Sequence, residues 1–184
     1  YAVDKKDVVV VASAGNVGAS EECKRQNSGP DPDVPLFIVS PPWFTEYVIS
    51  VAAMTQQGTA ADFSLQGPWV SVAAPGTDII SLDPGQPRGL ANRTMGKDRK
   101  LSSINGTSFA APYVAGLAAL VRDRFKHLDA RQVMKRIKVT ASHPAAAGGR
   151  DNLVGYGMIN PISALTSMVP SEHAIPTATA QDIE

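Results

Sequence analysis

Residues 105–116 read NGTSFAAPYVAG, and the run continues without a charge until Arg122. Ala, Leu and Val dominate SFAAPYVAGLAALVRDRF, which predicts a helix opening at Thr107 and buried on most of its surface. Pro112 is expected near its first turn, where a missing N–H costs least; Gly116 would let another backbone approach at about 1 kcal/mol of helix propensity. Ser108, just before this central helix, then has two readings. It is either the capping residue of a buried helix or an exposed nucleophile.

Working outward from the helix, Asp7–Ala12 reads DVVVVA, a β-branched run that suits a strand buried on both faces of a parallel sheet. YAVDKK before it resembles the last turn of a helix. YVISVAA (Tyr47–Ala53) is the next strand, and PWVSVAAPGTDIISL supplies two more, Val70–Ala73 and Asp78–Ser81, broken by Pro75 and Gly76. DARQVMKRIKVT (Asp129–Thr140) has an Asp cap followed by Val133, Ile137 and Thr140 at helical spacing, so it predicts an amphipathic helix. YGMIN reads as a short strand or turn, and Pro161–Thr166 as a short helix. The stretch EECKRQNSGPDPDVP (Glu21–Pro35) reads as a surface loop, and Asp83–Lys100 as a second, polar loop of a length that is usually functional or flexible. The pattern predicts one α/β domain over residues 1–167, with a mostly parallel sheet and helices on both faces. Residues 168–184, small, polar and proline-containing, read as a linker.

The 184 residues are 43% hydrophobic, enough for one globular core. Basic and acidic residues balance at 17 each with no basic, aromatic-interleaved cluster, which argues against a nucleic-acid surface. The sequence starts at Tyr1 without the charged, apolar and small-residue regions of a signal peptide, and no apolar run approaches the roughly 20 residues of a membrane span. No metal-ligand cluster or phosphate-binding glycine loop appears, so no cofactor is expected. Cys23 is the single cysteine. It is a free thiol, a metal ligand without visible partners, or half of a bridge to a residue outside this sequence.

Three pieces carry chemistry: SAGN (13–16), VAAPG (72–76) and NGTSFAAP (105–112). In an α/β sheet the loops at the carboxyl ends of strands bind ligands, so Asn16, after the strongest strand, and Ser108 can face one cleft. A serine at a helix start has an unpaired N–H at the positive end of the dipole, able to donate to an oxyanion while the hydroxyl attacks; the Asn16 amide could be the second donor. Each piece alone also has an ordinary reading, since Ser and Thr cap helices and Asn and Gly form turns.

Their order and neighbourhood decide between these readings. VVVVASAGN, then ISVAAM and ADFSLQGPWVSVAAPGTDIISL, then NGTSFAAPYVAGLAALV resemble the C-terminal part of a subtilisin-like serine protease domain, and the G-T-S-x-A-x-P motif at Gly106–Pro112 is highly specific. The resemblance implies that Ser108 is the nucleophile, that Asn16 donates to the oxyanion, and that Ser13, Ala14 and Gly15 line one side of the pocket for the substrate side chain. CKRQNSGPDPDVP, PPWFTEYVISVAA and RDNLVGYGMINPISALT further resemble mycosins, the subtilases of mycobacterial type VII secretion. That implies a signal peptide, a membrane helix soon after Glu184, a periplasmic position at the inner membrane, and partners among secretion-complex subunits. It also implies that Cys23 pairs with a cysteine elsewhere, as an oxidising compartment permits. The D-[ST]-G and H-G-T blocks that carry the family's Asp and His are absent; His127, His143 and His173 read as surface residues, so the base is expected from preceding residues. Two functions follow from the resemblance: an endopeptidase acting on a protein or peptide, and a structural subunit of the secretion complex for which proteolysis is dispensable.

Overall fold

The computed structural model describes residues 1–18, 24–29, 31, 34–85, 89–95 and 99–172; Cys23, His173 and the expected linker from residue 173 onward lie outside them. The chain opens with the expected helical turn, α1 (Ala2–Lys6), which ends at Asp7 in the left-handed region with φ 53° and ψ 42°. The Asp7 carboxylate is drawn to the Arg122 guanidinium and the Ala130 N–H, and Val8 stays exposed. Pairing therefore begins only at Val11, and β1 is Val11–Ser13 rather than Asp7–Ala12.

β2 (Ile49–Met54) is the middle strand, parallel to β1 with Ile49 opposite Val11, and parallel to β3 (Val72–Pro75) with Val51 opposite Val72. Every residue of β2 is buried, as a strand covered on both faces requires. The two-residue period divides its side chains. Ile49 and Val51, with Val72 and Ala74, meet the core built from Ala110, Val114, Leu117 and Val121, whereas Ala52, Met54 and Ala73 join Trp69 and Val70 on the other face. The described residues thus supply helices to one face of the α/β sheet. Trp69 closes the other, its indole N–H donating to the Ala14 carbonyl at 3.2 Å. β1, at the sheet edge, is only half-buried.

The strand expected before Pro75 runs on to include it, and Asp78 at φ 51° interrupts the one expected at Asp78–Ser81, leaving only β4 (Ser81–Leu82). The second expected loop carries structure as well. β4 pairs with β5 (Leu90–Ala91) and β6 (Arg93–Met95) with β7 (Leu101–Ser103), two exposed antiparallel ribbons. YGMIN bridges the outer edge of β3, Met158 lying opposite Ala73.

α2 (Thr107–Arg124) is the central helix, capped by Gly106. Ser108 is therefore its second residue rather than its cap. Pro112 is the sixth residue and lies past the first turn, so the Ser108 carbonyl has no helical N–H four residues on. Only one face of α2 is buried; Phe109, Tyr113 and Leu120 stay exposed because no described element covers them. α3 (Ala130–Val139) starts with a complete capping box, Asp129 accepting from the Gln132 N–H and the Gln132 side chain from the Asp129 N–H. α4 (Pro161–Thr166) is capped by Asn160. Packing continues beyond the expected boundary at 167: Val169 is buried, and the Glu172 carboxylate pairs with buried Arg136.

Candidate active site

β1 ends at Ser13, and the Ala14 N–H still donates to the Val51 carbonyl at 2.9 Å, so the SAGN segment leaves the sheet still tied to its neighbour strand. Gly15 makes the turn at φ 111°; a Cβ there would come within 2.8 Å of Leu65 Cδ1 and 3.5 Å of Val39 Cγ1, so only glycine fits. Its carbonyl accepts from the Leu65 N–H at 3.0 Å, and Asn16 then forms an antiparallel bridge with Ser64. Gln26 reinforces this corner by donating to the carbonyls of Asp62 and Ser64, both at 2.9 Å. With the Ala14 and Gly15 carbonyls already engaged, the Ser13–Gly15 wall offers a ligand its shape more than those two acceptors.

The decisive contact joins residues 91 apart: Asn16 Oδ1 accepts from the Thr107 N–H and from the Thr107 hydroxyl, each at 3.0 Å. A backbone N–H can only donate, so the oxygen of the amide must face Thr107. The Nδ2 donors then turn away from it, beside Gly106, where a built Cβ would lie 3.8 Å from Nδ2. Gly106 itself, at φ 155° and ψ 151°, occupies a region essentially restricted to glycine. Two further ties hold the motif to the exit of β3: Gly106 N–H to the Gly76 carbonyl at 2.9 Å, and Asp78 N–H to Asn105 Oδ1 at 2.7 Å.

Ser108 follows directly. It is exposed, its N–H is one of the four at a helix start that have no partner in the helix, and its side chain makes no hydrogen bond among the described residues. An amide pair of donors and an exposed hydroxyl at the positive end of an 18-residue helix make a site suited to a developing negative charge. Thr107 and Asn105 were not singled out from the sequence, although both lie inside the NGTS motif; their roles depend on partners far along the chain.

The described histidines stand elsewhere. His127 is beyond the C-terminal end of α2, packed edge-to-face with Phe125, and both ring nitrogens of His143 face main-chain carbonyls, those of Gly149 at 3.2 Å and Val139 at 3.3 Å. None of these contacts involves Ser108. The shifted titratable groups, Asp7, Arg122, Arg131 and Lys138, belong to other parts of the molecule. Among the described residues no three His, Cys, Asp or Glu side chains converge as metal ligands, and no helix is long and apolar enough to cross a membrane.

Mycosin-1 of Mycolicibacterium smegmatis is 46% identical over 180 residues, which are 92% of this chain and 38% of that protein. The structure of a serine protease described as an essential component of the type VII (ESX-1) secretion system superposes with a TM-score of 0.80 at 44% identity, over 90% of this chain and 45% of that one. A chain in the structure of an intact ESX-5 inner membrane complex superposes with a TM-score of 0.81 at 43% identity, over 97% of this chain and 41% of that one. The chain thus spans less than half the length of these relatives. The sequence pattern of the Subtilase family matches residues 1–157, and the chain belongs to that family.

Proposed function

We propose that this chain carries the nucleophile and the oxyanion hole of a subtilase-type serine endopeptidase of the mycosin kind. Ser108 Oγ attacks a peptide carbonyl, and the Asn16 Nδ2 and the Ser108 N–H hold the oxyanion. A His, oriented by an Asp, takes the hydroxyl proton and later gives it to the leaving amine; both come from residues of the protein outside these 184. Ser13, Ala14 and Gly15 form one wall of the pocket for the substrate side chain. Water then hydrolyses the acyl-enzyme. The observation that carries this reading is the Asn16 amide pinned by both donors of Thr107, which aims its N–H₂ beside the turn bearing exposed Ser108.

The working place is the periplasmic side of the inner membrane, among subunits of a type VII secretion complex, and Cys23 forms a disulfide with a cysteine elsewhere in the protein. The related chain in the ESX-5 complex favours a second role, as a structural subunit of such an assembly. Treating the full-length protein with a fluorophosphonate and mapping the adduct by mass spectrometry tests the enzyme reading. Folded protein is labelled at Ser108, denatured protein and Ser108→Ala are not, and Asn16→Ala is labelled more slowly by about 10²–10³, the loss measured for such a donor in subtilisin, a member of this family. Absence of label on folded protein would reject the peptidase. Secretion that survives Ser108→Ala but not deletion of the protein would favour the structural role.

A further inference from the structure

At the amino ends of β2 and β3, away from Asn16, a pocket of about 170 Å³ is lined by Thr45, Trp69, Ser71, Lys138, Arg150 and Tyr156 among others. Two cations enter it, and no Asp or Glu lines it. Among the described residues Arg150 is held by neutral acceptors: Nη2 donates to the Pro68 carbonyl at 2.5 Å and the Val70 carbonyl at 3.3 Å, and Nη1 to Asn152 Oδ1 at 3.3 Å. Lys138, in the last turn of α3, makes no hydrogen bond or ion pair among the described residues. Burial, and then the charge of Arg150, hold its ammonium below the usual lysine range. Like charges brought together in a partly desolvated pocket repel, and nothing in the wall compensates them. Hydroxyl donors complete the lining. Ser71 Oγ accepts from the Ser50 N–H at 3.2 Å, which leaves its own proton to give elsewhere.

We propose that this pocket binds a small oxyanion of the phosphate type between Lys138 and Arg150. Its volume is about that of five or six waters, room for one tetrahedral anion with part of its hydration and too little for a nucleotide. Beyond these bonds Arg150 keeps its Nε–H and one Nη1–H to donate, and Lys138 supplies a point charge from the opposite element.

Because Lys138 has no other partner among the described residues, Lys138→Met isolates the site, whereas Arg150 variants would also free the carbonyls of Pro68 and Val70. Thermal unfolding of the full-length protein is compared in phosphate and in chloride at equal pH and ionic strength. Phosphate stabilises proteins generally through exclusion from their surface, so the informative quantity is the gain of wild type over Lys138→Met. The expected excess is about 2 °C or more at 100 mM phosphate, retained by Lys138→Arg, while in chloride Lys138→Met melts at or above the wild-type temperature. Equal gains in wild type and Lys138→Met, or an excess that Lys138→Arg loses, would overturn the proposal.

Discussion

The two ends of α2 are held by long-range contacts of opposite chemical character. At the N-terminal end the ties are neutral: Asn16 to Thr107, Asn105 to Asp78 N–H, Gly106 to Gly76. Beyond the C-terminal end they are ionic. Arg122 pairs with Asp7, Arg131 with Asp4, and Arg136, buried with its guanidinium 3.8 Å from the Phe125 ring centroid, with Glu172. A site that must stabilise an incoming negative charge gains from amides and hydroxyls, because a resident carboxylate would compete for the same donors and the same dipole. At the other end Arg122, in the last turn of α2, complements its dipole, and the arginines clamp the flanking segments. Charge is placed where the helix needs anchoring and withheld where it needs reactivity.

The comparison breaks hardest at Arg136. Its Nε and Nη2 donate to the carbonyls of Ala164 and Ser167, both at 2.6 Å, while one Glu172 oxygen has no partner among the described residues. Arg136→Met leaves a buried carboxylate and two orphaned carbonyls, and should lower the unfolding free energy by about 3–5 kcal/mol in chemical denaturation. Adding Glu172→Leu should restore part of that loss; no recovery would mean that the carbonyl and ring contacts of Arg136, not the ion pair, hold this end. Thr107→Val tests the opposite end with a smaller effect. It removes one of two hydrogen bonds to Asn16 from a fully buried site. The expected cost is about 1 kcal/mol of stability, with a roughly fivefold slower fluorophosphonate reaction at Ser108. Unchanged labelling would show that the Thr107 N–H alone orients the amide.

Local signals carried much of this fold. The Asp cap of D-A-R-Q announces the start of α3, and YVISVAA announces β2, but the two-faced burial expected of DVVVVA is found in β2, β1 being only half-buried. The site was legible only through the motif, because the Asn16–Thr107 contact spans 91 residues and no local pattern encodes it. Where the reading missed, long-range contacts decided. Asp7 was claimed by Arg122 and Ala130, which delayed β1, and the ribbons between residues 81 and 103 expose Leu82, Leu90, Met95 and Leu101, so no buried alternation announced them. The apolarity of α2 implied burial on most of its surface. Phe109, Tyr113 and Leu120 show that composition states what a surface is made of, not what covers it.

The smallest effect sharpens the contrast most cleanly, because it separates the ends by pH. The Arg122 guanidinium, then the Ala130 N–H, hold the Asp7 carboxyl below its ordinary value. A carboxyl whose folded pKa is depressed contributes stability that is present above the unfolded value of about 3.9 and is lost as pH falls through the folded one. Melting temperatures of wild type and Asp7→Asn should therefore differ by a constant amount above about pH 5 and converge below about pH 4, with the gap reduced by salt because the pair is exposed. The neutral ties around Asn16 and Thr107 do not titrate in that range, so Thr107→Val should keep the same offset from wild type throughout. A difference between wild type and Asp7→Asn that stays flat to pH 3 would mean that the Asp7 carboxylate is not what fastens α1 to the end of α2, and the ionic half of the comparison would then rest on Arg131 and Arg136.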